Sequence, residues 1–479
     1  MPFNIKEQRD LIEQHYIGFS PNTASVKPVH LANGLFRVLL GHSYDTRQLV
    51  QFVVYEAKKG VSRPHELSVI FDRLQEAGRL DTDEIAPVDI AMLRQALRKV
   101  VHADGAVFTD GMDSHSAGTK QLVSNDRIAQ DGGEFLGHWL RQQAPTFTNM
   151  ILTALQEETD PITFIVRPLL GERIPNPKTQ LERPNEIVSL NNNCPSLLRT
   201  RMLALTEGAQ CLAHHLNEHP NKLTRLRMAL LFGSFLLVRY MADLEHTWQA
   251  NSQLARPLFV FDFTDQARHP MRLASQRSFV LVCQSITRFY GLMFADYLRQ
   301  HYPLESLNEP PWYAKKPRET SEREWREAQQ EATSANDPYL VFGETLYNIL
   351  ALMAETTPIK YFRALGVRGG LFWPPHNLQP AKQIAPRQDM LEVLIRSVAM
   401  PGDTLDLPTL QQRLGERYGI IIGGSIDDLN ALLSAGIYQA DNEALKENQT
   451  AFTHALRDLN FARMLADGVM EVQAEGIWK

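Results

Sequence analysis

The sequence predicts a mainly α-helical, multidomain protein with a few short strands and a C-terminal winged-helix-like module. Apolar residues recur at helical spacing along much of the chain, and glycine or proline interrupts these segments. At roughly 150 residues per domain, a chain of 479 residues has room for about three domains. Hydrophobic residues make up 44% and charged residues 22%, which excludes a disordered, collagen-like or coiled-coil protein.

Clusters of proline set the predicted domain boundaries. Repeated prolines between 161 and 195 prevent a long helix there, so an N-terminal helical domain is predicted over 1–160. A central helical domain with short strands is predicted over 161–380. The prolines between 374 and 386 form a predicted linker, and the C-terminal module occupies 384–479.

Helical periodicity and its stop signals place the individual elements. The clearest helices are predicted over 30–40, 196–219, 222–248, 277–300, 321–331 and 341–355. Shorter helices are predicted over 62–77 and 87–101, and the polar stretch 103–130 is predicted to be an exposed loop. The clearest strand lies at 257–263, where aromatic and β-branched residues dominate.

The last hundred residues carry the strongest start and stop signals. Asp406 can cap a helix that ends at Tyr418, and Gly419 supplies a left-handed stop. Ser425 and Asp428 predict a capping box at the start of the following helix.

A further helix and a strand complete this module. The helix is predicted to carry its apolar face from Phe452 to Ala462 and to end at Gly468, and the strand follows over 469–473. A winged-helix module has this order of short helices followed by a strand, so the order predicts such a module here.

Cysteine usage and the N-terminus bear on the compartment. Three cysteines are too few for a disulfide framework and fit a reducing cytosol. The first seven residues carry charges where a signal peptide needs an apolar core. The longest apolar run, 228–238, is shorter than the roughly 20 residues that cross a bilayer. A cytoplasmic protein without membrane association is therefore predicted.

Motifs for cofactors and common enzymes are missing from the sequence. There is no glycine-rich phosphate loop, H-E-x-x-H, EF-hand, G-x-S-x-G or kinase signature. The sequence therefore suggests neither a cofactor nor a metal, and it favours a non-enzymatic role.

One enzymatic alternative stays open. Asp45, Glu56 and Lys58 have the order of a carboxylate followed by Glu-x-Lys, which metal-dependent nucleases of the restriction-endonuclease type use. The carboxylates would hold Mg²⁺ and the lysine would orient the attacking water. The competing interpretation is a capped helix whose lysines complement its C-terminal dipole.

Positive charge is concentrated in the centre of the chain. Residues 161–320 hold 19 basic and 13 acidic groups. Basic residues on both sides of a predicted helix–helix turn at 219–220 form a candidate patch for nucleic acid or an acidic partner: Arg199, Arg201, Lys222, Arg225 and Arg227. Alternatively, their stems cover apolar surface and their guanidinium or ammonium groups pair with the neighbouring carboxylates of Glu207, Glu218, Asp243 and Glu245.

The C-terminal module has the opposite charge. Residues 381–479 hold 9 basic and 14 acidic groups. Winged helices that bind DNA normally carry a basic face, because neutralisation of phosphate drives their affinity. The module is therefore predicted to contact protein.

Two segments of this module carry a resemblance to a known group of proteins. Arg396-Ser-Val-Ala-Met-Pro-Gly-Asp403 and Arg417-Tyr-Gly-Ile-Ile-Ile-Gly-Gly424 resemble C-terminal winged-helix segments of large proteins from bacterial anti-phage gene cassettes, over about a fifth of the chain. The resemblance carries no catalytic residues. It implies a non-catalytic subunit that acts beside an ATPase or nuclease encoded nearby.

Two functions are therefore predicted. The first is an adaptor or scaffold subunit of a cytoplasmic bacterial multiprotein assembly in antiviral defence, with nucleic acid as a further partner through the central basic region. The alternative is a divergent metal-dependent nuclease that uses Asp45, Glu56 and Lys58.

Overall fold

A computed structural model describes residues 5–21, 26, 28–46, 48–49, 52, 72, 74–77, 92–97, 120, 123, 130–156, 161–175, 195–249, 256–308, 318–353, 357–375, 382–466 and 469–475. These residues are mainly α-helical with a few short strands, which confirms the predicted fold class. The predicted loop over 103–130 and most of the predicted helices over 62–77 and 87–101 lie outside the described residues.

The helices are numbered in chain order. They are α1 (Ile5–Ile12), α2 (Pro28–Leu40), α3 (Gln130–Gln143), α4 (Pro145–Gln156), α5 (Pro161–Val166), α6 (Ser196–Asn217), α7 (Lys222–Trp248), α8 (Pro270–His301), α9 (Arg318–Ala332), α10 (Pro338–Met353), α11 (Pro358–Arg368), α12 (Gln388–Arg396), α13 (Leu407–Tyr418), α14 (Ile426–Ser434) and α15 (Asn442–Asp458). A π-helical turn, Glu13–Ile17, directly follows α1.

The strands are short and pair over two to four residues. They are β1 (His42–Tyr44), β2 (Arg173–Pro175), β3 (Phe259–Val260), β4 (Phe372–Trp373), β5 (Gln383–Ile384), β6 (Thr404–Asp406), β7 (Ile420–Ile421), β8 (Ala462–Met464) and β9 (Met470–Gln473). The pairs β1–β2 and β4–β5 are antiparallel, β3–β7 is parallel, and β6, β9 and β8 form an antiparallel sheet in that order.

The chain divides into two compact units. The first comprises Met1–Ser25, Glu186–Gly208 and Phe235–Lys479, and the second comprises Val26–Asn185 and Ala209–Ser234. These units divide the chain differently from the three predicted domains. Compactness does not show which segments fold alone, so the boundaries at 160 and 380 stay predictions.

Helix α2 packs closely against α3 in the second unit. A Cβ atom at Gly133 would lie 2.4 Å from the carbonyl oxygen of Leu31, so only glycine permits this approach of the two backbones. A buried ion pair between Arg37 and Glu134 joins the same two helices.

The long helix α8 lies at the centre of the first unit. It packs against α10, where a Cβ at Gly343 would lie 2.1 Å from the carbonyl oxygen of Gly291. Helix α9 contributes Trp325, which is fully buried and donates its indole N–H to the carbonyl oxygen of Leu307 at 3.1 Å. This tryptophan anchors an otherwise exposed helix to the core.

Helix α8 is also the one described helix long and apolar enough, by composition, to cross a membrane. Of its most apolar 18-residue window, 61% is buried inside the protein. A core helix of a soluble protein has this property, so α8 is explained by packing, and the cytoplasmic location stays a prediction.

The C-terminal segment has the chain order of a winged helix. Helix α12, strand β6 and helix α13 come first, and α15 is followed by the hairpin of β8 and β9. Strand β9 lies between β6 and β8, so the first strand pairs with the last. Strand β7 and helix α14 are inserted between α13 and α15.

The local signals of this segment are confirmed. Asp406 accepts a hydrogen bond from the backbone N–H of Thr409 at 2.8 Å and caps α13. Gly419 ends α13 with a φ of +66°, a left-handed conformation that favours glycine. Ser425 and Asp428 form both hydrogen bonds of a capping box at α14.

The end of the last helix was predicted wrongly. Helix α15 ends at Asp458, and Asn460 turns the chain with a φ of +59°. Ala462, which the sequence places on the helix face, lies in β8 and pairs with Val472. Pairing with β9 thus overrides the helical pattern, and Gly468 lies outside the described residues.

The predicted strand at 257–263 is confirmed as the shorter β3, and it connects the winged-helix segment to the helical core. β3 pairs with β7, and the side-chain amide of Asn448 donates to the carbonyl oxygens of Phe261 and Ile422 at 2.8 and 2.7 Å. Residues from both segments share one apolar cluster: Val260, Met271, Ala274, Ile421, Leu432, Ile437, Ala440, Ala444 and Leu445.

This shared cluster leads to a prediction about fragments. A fragment of residues 256–479 should melt at a higher temperature than one of residues 384–479, because the shorter fragment exposes Leu432 and Leu445 to water. Thermal unfolding followed by circular dichroism measures the difference. Equal melting temperatures and equal cooperativity would contradict this prediction and favour the module 384–479 as a separate domain.

Candidate interaction surface

The predicted basic residues lie at the starts of two consecutive helices. Arg199 is exposed and Arg201 is half-buried near the start of α6. Lys222, Arg225 and Arg227 begin α7, where Arg225 is buried with 8% of its surface exposed. The predicted turn between the two helices is confirmed at 218–221.

Arg201 lies near the start of α6, sixteen positions before the last residue of that helix, Asn217, which is about 24 Å along the helix. Lys222 begins the next helix, α7. Binding of nucleic acid or of an acidic partner by these basic residues stays a prediction.

Two of the carboxylates named as their alternative partners form ion pairs with other arginines, although Asp243 also attracts Arg201. Glu207 lies 3.7 Å from Arg417, and Asp243 pairs with Arg239 and Arg256.

The residues of the nuclease alternative are only partly described. Asp45 follows β1, and its backbone N–H and C=O bond to Glu172 and Gly171 at 3.2 and 2.8 Å. Glu56 and Lys58 lie outside the described residues. Among the residues that the structure does describe, no three His, Cys, Asp or Glu side chains are grouped to hold a metal ion. The nuclease site stays a prediction.

Helix α15 takes the position of the third helix, which reads the major groove in DNA-binding winged helices. Its exposed side chains include Glu443, Lys446, Glu447, His454 and Arg457. Carboxylates precede and follow the single lysine in the first turns. This arrangement would repel the phosphates of DNA, so α15 lacks the basic face that a DNA-reading helix needs.

Helix α14 is apolar on two sides. Its inner face places Leu432, fully buried, in the apolar cluster shared with β3 and α8. Its outer face leaves Ile426 59% and Leu433 42% exposed, and Tyr438, just after the helix, is 72% exposed. We call Ile426, Leu433 and Tyr438 the outer α14 surface.

Acidic residues are frequent in α14 and in the chain that follows it. Between 426 and 447 there are five carboxylates and one lysine. Asp427, Asp441 and Glu443 are exposed. Exposed apolar side chains and exposed carboxylates thus occur together in this stretch of sequence, and their charge favours a basic protein partner over nucleic acid.

A buried ion cluster, which the sequence analysis did not identify, lies at the end of α7. The Asp243 carboxylate accepts hydrogen bonds from Nε and Nη2 of Arg239, at 3.0 Å for Nε, and from Nε and Nη2 of Arg256 at 3.2 Å. Arg239 also stacks over the ring of Phe259, 4.5 Å from its centre. Arg256 donates to the carbonyl oxygens of Glu416 and Arg417 at 3.2 Å, so it caps the end of α13.

Glu13 forms a second buried polar group. It begins the π-helical turn, which the backbone N–H of Gly18 closes by donating to its carbonyl oxygen at 2.8 Å. Its carboxylate accepts from the hydroxyls of Ser20 and Tyr290, the latter at 3.3 Å, and lies 3.6 Å from Nε of Arg9. Burial raises the pKa of Glu13 to about 7, although Arg9 and Ser20 oppose this shift.

Comparison with known proteins adds no family to this description. No protein-family model matches the chain, and no curated protein matches it.

Proposed function

We propose that this protein is a non-catalytic adaptor or scaffold subunit of a cytoplasmic bacterial multiprotein assembly in antiviral defence. Its partner is another protein subunit, an ATPase or a nuclease, which it contacts through the winged-helix-like module. Nucleic acid is a further partner of the assembly, contacted by the central basic residues.

One observation carries the protein-binding role. The outer α14 surface exposes two large aliphatic side chains and a tyrosine, while the opposite side of the helix is already packed in the core. Centres of protein interfaces are rich in such side chains, and tyrosine is frequent among residues that dominate binding energy. The acidic surroundings of α14 and the charges of α15 oppose an alternative role in DNA binding.

The proposal is tested with a double variant, Ile426→Asp with Leu433→Asp. The protein is co-expressed with the ATPase or nuclease whose gene lies beside its own, and co-elution and affinity are measured. We expect binding to weaken by about 30-fold or more, since the loss of even one central interface residue costs about 2 kcal/mol. The melting temperature should change little, because both side chains are substantially exposed.

Met464→Asp is the matched control. Met464 is 52% exposed and lies on β8 of the same module, away from the outer α14 surface in sequence. It receives the same chemical change and should leave binding intact. An assembly that forms equally well with the double variant would contradict the proposed role of α14.

A further inference from the structure

Three arginines surround one carboxylate at the end of α7. Arg201, Arg239 and Arg256 all interact electrostatically with Asp243. The cluster therefore carries an excess of two positive charges. Burial lowers the pKa of Arg239 to about 10, and burial together with repulsion by Arg256 lowers the pKa of Arg201. The positive charges thus lack sufficient compensation within the cluster.

Two donors of this cluster have no acceptor within the part of the chain that the structure describes. They are Nη1 of Arg239 and Nε of Arg201, and both atoms are buried. Arg239 is fully buried, and a buried guanidinium donor without a partner costs free energy. Arg256, in contrast, uses its donors on Asp243 and on the end of α13.

Two of the three arginines are partly exposed to solvent. Arg201 is half-buried and the side chain of Arg256 is 10% exposed. Gly419 contributes no side chain beside the cluster. A Cβ atom there would lie 3.4 Å from Nη1 of Arg239 and from Nε of Arg256.

We propose that Arg201, Arg239 and Arg256 form a binding site for the phosphate of a phosphomonoester. A phosphomonoester carries close to two negative charges at neutral pH and so matches the excess charge of the cluster. Guanidinium groups bind phosphate oxygens through paired, charge-assisted hydrogen bonds. A phosphodiester matches the cluster less well, because it carries only one negative charge.

Within the site the three arginines have different tasks. Asp243 holds Arg239 and Arg256 in place, since each donates two hydrogen bonds to its carboxylate. Arg239 offers Nη1, and Arg201 brings a guanidinium that no described residue engages by a hydrogen bond at Nε. Arg201 forms no hydrogen bond at Nε that stabilises the described fold, so a substitution of Arg201 tests ligand binding with little effect on folding.

The test is calorimetric titration of the full chain with inorganic phosphate and with adenosine monophosphate, at constant ionic strength set with chloride. We expect saturable binding by the wild type. Arg201→Gln should weaken it by about tenfold or more, because a charge-assisted hydrogen bond to phosphate contributes about 1.5–3 kcal/mol. Tighter binding of the nucleotide than of inorganic phosphate would identify a nucleotide as the ligand, and equal affinity would identify the phosphate group alone.

Arg326→Gln is the matched control, since it removes the same charge from α9, where the side chain of Arg326 is 73% exposed. It should leave phosphate affinity unchanged. Without ligand, Arg201→Gln should melt at the same temperature as wild type or higher, because it relieves repulsion with Arg256. Arg201→Lys, which keeps the charge and loses Nε, should bind with intermediate affinity.

Two results would overturn the proposal. One is the absence of saturable phosphate binding by the wild-type chain. The other is an affinity that Arg201→Gln and Arg326→Gln reduce equally, which would indicate a general charge effect and no defined site.

Discussion

Glu13→Gln should raise the free energy of unfolding above pH 7 by about 3 kcal/mol. This value follows from the rise of the Glu13 pKa from 4.5 to about 7 on folding. The folded protein holds the proton of Glu13 more tightly than the unfolded chain does. The free energy of unfolding therefore falls as the pH rises from about 4.5 to above 7 and is level beyond that. Glutamine imitates the protonated, uncharged side chain at every pH.

The measurement is denaturant unfolding of wild type and variant at several pH values between 4 and 9. The difference between the two profiles isolates Glu13 from the other titrating groups. Relative to wild type, the variant should gain most stability above pH 7. Its side-chain amide can still form hydrogen bonds with Ser20 and Tyr290.

Glu327→Gln is the control, because it makes the same substitution on α9 at a side chain that is 66% exposed. It should change the free energy of unfolding little, since an exposed ion pair contributes about 0–1 kcal/mol. A Glu13→Gln profile parallel to that of wild type would show that folding leaves the pKa of Glu13 unchanged.

Asp243→Asn should cost about 3–5 kcal/mol, the loss expected when one partner of a buried ion pair is removed. The variant leaves Arg239 fully buried and charged without its carboxylate, and it also loosens Arg256, which caps α13. The pKa of Asp243 is held far below its usual value by Arg239 and Arg256. This carboxylate therefore stabilises the fold above about pH 4 and ceases to do so as the pH falls, opposite in sign to Glu13.

Denaturant unfolding at pH 7 measures this cost, and Asp403→Asn serves as the control. Asp403 pairs with Arg413 at 3.0 Å, but the two side chains are 36% and 40% exposed. Such a pair contributes about 0–1 kcal/mol. A similar, small loss in both variants would mean that Asp243 is hydrated and that the cluster is not a buried one.

Several helix boundaries could be predicted from the sequence, because their signals are local, although α8 begins seven residues before its predicted start and α15 ends ten residues before its predicted end. The prediction for α7 over 222–248 matches both ends, and the Asp406 and Ser425 caps form the hydrogen bonds that their sequence positions predict. Each of these signals acts within one helical turn, so neighbouring residues suffice to determine it.

The candidate site was only partly predictable. Arg201 belongs to the predicted basic set and to the arginine cluster, whereas Arg239, Asp243 and Arg256 were not proposed as a site. One signal was present: Arg239 and Asp243 are an oppositely charged pair four residues apart inside an otherwise apolar helix, a pattern typical of a buried ion pair. The outer α14 surface had no such signal, because its residues have ordinary helical spacing and only packing decides which side is buried.

The sequence by itself determined the helical class of this protein, most helix ends and the acidic character of its C-terminal module. Tertiary structure alone decided the pairing of β3 with β7, 161 positions apart at Phe259 and Ile420, and the conversion of Ala462–Met464 into a strand. It also brings Arg256 into hydrogen-bond distance of Asp243, thirteen residues earlier, and of the carbonyl oxygen of Glu416, 160 residues later. A helix is closed by bonds between residues four apart, whereas a strand or a charge cluster is completed by partners whose proximity depends on the whole chain.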